Sequence, residues 1–157
     1  MLYLGIDPGP VVCGVCWYDD SSRTAHDAST LPVAAVLGIA AASRGLGHVV
    51  AIERVRAQGV AGASVISTAE VVGRLWQACG SPLLLYRGDV LRALDVTGRG
   101  NRDSMVRERL MQMHGGSKEV AVGTKRATGP LYGVTGHAWQ ALAVAVAASM
   151  GAGEASL

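Results

Sequence analysis

Two acids stand at the ends of apolar runs. Asp7 directly follows Leu2-Tyr3-Leu4-Gly5-Ile6, and Glu53 directly follows His48-Val49-Val50-Ala51-Ile52. Both runs are short and rich in strand formers, so each predicts a buried strand that carries a carboxylate at its end. Such a carboxylate is either a turn cap or a metal ligand, and for a single acid the cap is the commoner role. A second acid in the same setting shifts the weight, because strand-terminal carboxylates converge when their strands are neighbours in one sheet. Mg²⁺ takes near-octahedral oxygen ligation, usually from one or two protein carboxylates plus substrate phosphate. A convergent Asp/Glu pair is therefore the minimum set for metal-assisted phosphodiester hydrolysis.

Two further stretches carry polar groups that could join that pair. The segment from Thr135 to Met150 is so rich in Ala and Val that it predicts a buried helix, yet His137 and Gln140 lie near its start. Three residues apart, they share a face. A lone His in such a place is usually a hydrogen-bonded core or cap residue; the neighbouring Gln140 makes a shared site arguable. The other stretch is Thr97-Gly98-Arg99-Gly100-Asn101-Arg102-Asp103-Ser104, a glycine-bearing loop that runs into a helix with Asn101 as its N-cap. Free backbone N–H groups and arginines at a helix N-terminus suit a phosphate. No Lys-Ser/Thr follows the glycines at Walker spacing, and an ordinary helix start explains the loop equally well.

The elements that must position these groups are legible from pattern. Pro8-Gly9 predicts a tight turn after the first strand, with Val11 to Trp17 returning as a second strand and Arg23 to Thr30 completing a three-strand meander. Val33, Val36, Leu37, Ala40 and Ala41 then share a helical face that ends at Gly45 and Gly47. After the strand ending in Glu53 comes a loop from Arg54 to Ala63. A helix from near Ser64 follows, with Ile66, Ala69, Val72, Gly73 and Trp76 as its expected core stripe. Leu83 to Tyr86 reads as a further buried strand and Asp89 to Leu94 as a short helix. Val106, Leu110 and Met113 form the core face of the helix that Asn101 caps.

Composition bounds the class. The chain has 157 residues, half of them apolar, which predicts one ordered domain over residues 1–157 rather than a disordered chain. A formal charge of +2 implies no nucleic acid by itself, although basic residues crowd the second half with acids interleaved. Cys13 and Cys16 have C-x-x-C spacing, but on a strand they point to opposite faces, and no second Cys/His pair at zinc spacing follows. With Cys79 they read as small core residues of a reducing compartment. No secretory or transit segment is read, and the apolar run from Ala138 to Met150 is too short to span a bilayer. A cytoplasmic protein of a bacterial or phage-infected cell is expected.

In order and spacing, these features resemble the ribonuclease H-like fold and, more narrowly, the RuvC family of Holliday junction resolvases. The residues that carry the resemblance are Gly5-Ile6-Asp7-Pro8-Gly9 with Gly14, Ala51-Ile52-Glu53, Thr97-Gly98-Arg99-Gly100-Asn101 and His137-Ala138-Trp139-Gln140-Ala141-Leu142-Ala143. The resemblance implies an α/β domain whose mixed sheet, an antiparallel meander plus parallel strands, is flanked by helices. It also implies a homodimeric, Mg²⁺- or Mn²⁺-dependent endonuclease that cuts opposite strands of a four-way DNA junction. Asp7 and Glu53 map onto the family's first two catalytic acids. Its Asp or His before the last acid maps onto His137, a possible ligand or general acid/base. The loop holding Arg99, Gly100, Asn101 and Arg102 matches a segment that meets the DNA backbone. Arg54, Arg56 and Gln58 after Glu53, and Lys118, Lys125 and Arg126, are the further DNA contacts expected.

Two departures stand out. Family members carry an Asp where this chain has Gln140. An amide offers a carbonyl oxygen but neither charge for Mg²⁺ nor basicity for a water, a loss on the order of several kcal/mol of transition-state stabilisation. His137 as a metal ligand would then suit Mn²⁺ better. The loop after Glu53 also lacks the aromatic wedge common in the family; an aliphatic such as Val60 is the substitute within reach. Two functional readings follow: a junction resolvase, or a weakened or inactive junction-binding protein on the same scaffold. A sugar-kinase or actin-like ATPase shares the Gly5-Ile6-Asp7-Pro8-Gly9 pattern but needs two such domains around its nucleotide. A plain structural domain leaves both strand-end acids and the polar pair as coincidence.

Overall fold

The computed structural model describes residues 1–56, 59–98 and 100–155. Strands β1 (Leu2–Asp7), β2 (Val12–Asp19) and β3 (Thr24–Pro32) form the antiparallel meander that the turn signals predict. Helix α1 (Val33–Gly45) leads to β4 (Val49–Arg54), and α2 (Ala63–Cys79) leads to β5 (Leu83–Tyr86). Then come α3 (Arg87–Ala93), α4 (Arg102–Met113), α5 (Lys118–Ala121) and α6 (Ala138–Ser149), and a two-residue β6 (Glu154–Ala155). The sheet order is β3-β2-β1-β4-β5-β6. β1, β4 and β5 run parallel, so the mixed α/β sheet has the form expected. β6, which pairs antiparallel with Leu83 and Leu84, is too short to leave a pattern in sequence.

Because successive side chains of a strand point to opposite faces, each central strand feeds two cores. Leu4, Ile6, Val50 and Ile52 are buried with residues of α1 and α2; Ala51 and Leu85 are buried with α3 to α6. Cys13 and Cys16 fall in different cores, as strand periodicity demands, and all three cysteines are buried free thiols. No helix among the described residues is long and apolar enough to cross a membrane.

Two helices differ from expectation in which face they bury. On α2 the buried residues are Thr68, Val71, Val72, Leu75 and Cys79. Ile66 and Trp76 of the expected stripe are exposed, and Ala69, Gly73 and Trp76 instead wall a groove with Arg54, Val55 and Leu84. Thr68 can be buried because its hydroxyl donates to the Ser64 carbonyl (2.9 Å), which removes the cost of an unpaired polar group. On α1, Ser43 rather than Ala41 is buried, for the same reason: its hydroxyl donates to the Ile39 carbonyl at 2.8 Å. α6 starts at Ala138, so His137 is the residue that caps it, not a member of its first turn.

Candidate functional site

Register brings the two acids together. Ile6 of β1 lies beside Ile52 of β4 in parallel pairing, so Asp7 and Glu53, one residue on, are neighbours at the same level of the sheet. Both point to the face that Gly5 and Ala51 share, the α6 face. On β5, Leu85 pairs with Glu53, and Arg87 follows two residues later at the first position of α3. Three adjacent parallel strands thus each deliver one charged side chain at their carboxyl ends, where open α/β sheets place ligands.

Two glycines let α6 come close enough to complete the group. A Cβ on Gly5 would overlap the Ala141 carbonyl oxygen and stand 2.9 Å from the Ala145 Cβ. A Cβ on Gly14 would overlap the His137 carbonyl oxygen and stand 2.7 Å from its carbon. The backbone of α6 therefore rests directly on β1 and β2, which sets His137 Nδ1 3.8 Å from Asp7 Oδ2. His137 is mostly solvent-exposed, whereas Asp7 is largely buried.

Arg87 ties the rest together. Its Nη1 donates to Gln140 Oε1 and stands 3.6 Å from Glu53 Oε2, while its Nη2 donates to Asp103 Oδ1 and forms an ion pair with it. Glu53 Oε2 is a buried oxygen with no hydrogen-bond partner. Burial pushes Glu53 up to about 7, with the Arg87 charge opposing and Asp7 and Asp103 adding to the rise. Burial likewise raises Asp7 to about 6, again against Arg87. The pair is therefore under-compensated: one guanidinium does not offset the desolvation of two carboxylates.

A cleft of about 400 Å³ opens beside this group, lined by Asn101, Asp103, Ser104, Arg107, Gly136, His137, Trp139 and Gln140. Asn101 caps α4 as expected, its Oδ1 accepting from the amides of Asp103 (3.2 Å) and Ser104 (3.3 Å). Gly100 and Arg102 flank it and are exposed. Arg54 and Arg56 both lie over the Tyr86 ring, at 5.3 and 5.8 Å, next to Glu53 and Arg87 in the chain. Lys118 opens α5 and walls a different groove, which runs along α4 from Ser104 to Gln112. Lys125 and Arg126 are exposed in the turn between Gly123 and Thr128, with no contact to the carboxylates. The expected DNA contacts Gln58 and Arg99 lie outside the described residues.

The structure thus unites Asp7, Glu53, His137 and Gln140 and leaves Lys118, Lys125 and Arg126 apart from them. Two members of the site are absent from the expectation: Arg87 and Asp103. The signal for Arg87 was present, since it follows an apolar strand just as Asp7 and Glu53 do. Asp103 had none, because it reads as an ordinary acid in the first turn of a helix.

The meander, the parallel strands and α6 against the carboxylate-bearing face make this a ribonuclease H-like fold. In particular it is the fold of RuvC from Thermus thermophilus. The structure of that protein with a Holliday junction substrate superimposes with a TM-score of 0.65 at 18% identity, covering 99% of both chains. A second structure of Thermus thermophilus RuvC matches with a TM-score of 0.57 at 19% identity, over 99% of this chain and 100% of that one. No protein-family model matches the chain, and no curated protein does.

Proposed function

We propose that this protein is a divalent-metal-dependent endonuclease that resolves four-way DNA junctions by paired symmetric nicks. The observation that carries this reading is the adjacency of Asp7 and Glu53 at the same level of two parallel strands, in the fold of a protein solved with a Holliday junction. The donor set fits a hard cation. Two largely buried carboxylates, one with an oxygen (Glu53 Oε2) that has no hydrogen-bond partner, present oxygen ligands to such an ion. Asp7 and Glu53 would hold Mg²⁺ or Mn²⁺, with His137 beside Asp7 as a possible further ligand. When bound, the cation supplies charge neutralisation at the phosphate and makes an attacking water more acidic.

The chain's own groups do the rest. Attack of water on phosphorus breaks the bond to the 3′-oxygen, which must receive the proton that the water gives up. His137, exposed and 3.8 Å from Asp7, is the group able to carry it. Arg54 and Arg56, held over Tyr86, offer guanidinium groups to phosphates next to the carboxylates. Lys118, Lys125, Arg126 and the Gly100–Arg102 turn would meet the backbone farther out and give salt-dependent, sequence-independent binding. Paired cuts on a junction of two-fold character call for a second copy of the chain. The exposed Ile66 and Trp76 of α2 offer apolar surface for such a homodimer. Trp76→Glu should then shift the chain toward monomer in sedimentation without unfolding it.

The test is nicking of an end-labelled four-way junction in Mg²⁺ and, separately, in Mn²⁺. Symmetric cuts by this chain and none by Asp7→Asn support the reading; equal cutting by Asp7→Asn overturns the site. One observation favours the second reading, a junction-binding protein without cleavage: Gln140 is already engaged by Arg87. Tight binding with no cuts in either metal would decide for it.

A further inference from the structure

Arg87 is the feature that the proposed chemistry leaves unexplained. Its guanidinium sits among Glu53, Asp103 and Gln140, directly beside the carboxylates that the metal reading needs. We propose that Arg87 is a resident cation of this site that stands in for a second divalent ion, with Gln140 as its acceptor rather than a weakened metal ligand. The inference rests on the reading of Asp7 and Glu53 as the metal-binding pair.

Three observations lead there. The first is geometry: Arg87 uses its two terminal nitrogens on two different elements, Gln140 at the start of α6 and Asp103 in the first turn of α4. A planar fork with donors on both nitrogens can span such a gap, whereas a point charge on a flexible stem cannot. The second is charge. With all three carboxylates ionised, as metal binding requires, Asp7, Glu53 and Asp103 against Arg87 leave two negative charges, which one divalent ion neutralises; a second ion would leave the cluster positive. The third is the amide. Gln140 accepts from Arg87 without cancelling its charge, so the guanidinium field remains available to Glu53 and to a bound phosphate. An Asp at position 140 would pair with Arg87 and spend that field locally.

The consequence is specific: restoring the acid at position 140 should not restore a metal ligand while Arg87 is present. Mn²⁺ binding to the intact chain, followed by electron paramagnetic resonance of the free ion, tests this on four proteins: the chain as it is, Gln140→Asp, Arg87→Met and the double variant. Gln140→Asp alone should tighten Mn²⁺ by less than about threefold, but by about tenfold or more in the Arg87→Met background, the non-additivity of two groups in contact. The number of ions bound should rise from one to two only in the double variant. Equal tightening in both backgrounds, or two ions on the unaltered chain, overturns the proposal. If Arg87→Met does not fold, Arg87→Gln takes its place: it is polar but uncharged, and the Gln140→Asp gain must again exceed that in the unaltered chain. Asp7→Asn separates the two readings. Undiminished Mn²⁺ binding by Asp7→Asn removes the metal from this site altogether. Binding lost in Asp7→Asn, together with equal Gln140→Asp gains, refutes only the role of Arg87.

Discussion

On one face of the sheet, Leu4, Ile6, Val50 and Ile52 pack side chain to side chain with Val36, Ala40, Val71 and Leu75 of α1 and α2. On the other, Gly5 and Gly14 present almost nothing, and the backbone of α6 lies directly on them. The first kind of packing tolerates adjustment, because interdigitated aliphatic side chains can repack around a change of similar volume. The second does not, since main-chain atoms of α6 have nowhere to move. The candidate site sits on the tight face, where His137 and Gln140 must be held against Asp7 and Arg87. The looser face leaves part of α2 bare, with Ile66 and Trp76 exposed.

That contrast can be broken most severely at the site itself. Asp7→Asn should lower junction cutting by at least about 10²-fold, the scale on which loss of one electrostatic group acts, with junction binding little changed. End-label nicking beside a gel-shift titration measures both. Next in size is Gly5→Ala. Its Cβ would collide with the Ala141 carbonyl and press on Ala145, so about 2–3 kcal/mol of stability should be lost in a denaturant titration. The control is Gly38→Ala on the solvent side of α1, where an added Cβ meets nothing within 4 Å. There the better helix former should gain about 0.5–1 kcal/mol. Destabilisation of similar size at both glycines would mean that the loss at Gly5 does not come from the close approach of α6.

The electrostatic side of the comparison is sharpened by pH. Glu53, ordinarily near 4.5, is pushed up to about 7 by burial, so in the folded chain its neutral form is favoured below about pH 7. Folding stability is then highest below about pH 4.5 with respect to this group and declines as pH rises through about 7. Glu53→Gln, in chelator, should therefore be more stable than the unaltered chain at pH 8, by about 1–3 kcal/mol, with the advantage gone at pH 4. Thermal unfolding at the two pH values reads this directly, and added Mn²⁺ should narrow the gap at pH 8 only for the chain that keeps Glu53. The smallest effect is expected at Lys125, exposed and away from the carboxylates. Lys125→Ala should weaken junction binding a few-fold and lower the salt slope by about 1, leaving the cleavage rate of bound junction unchanged.

By itself, the sequence determined the alternation of strands and helices, the two acids at strand ends and the polar pair near the start of a buried helix. These are local facts: apolar runs of strand length, turn residues at their ends and an Ala/Val-rich segment leave a periodic trace. The same locality explains the misassigned face of α2. Ile66, Ala69, Val72, Gly73 and Trp76 are apolar at helical spacing, but only the tertiary packing decides that Thr68, its hydroxyl satisfied within the helix, turns inward instead. The tertiary structure alone also joined Arg87 to Gln140 across 53 positions and to Asp103 across 16. No pattern in the chain records such a meeting. It arises because three parallel strands end at one level, and because two glycines let a helix come down onto them; with Asp7 and Glu53 buried side by side, a neighbouring guanidinium offsets part of the cost of their charge.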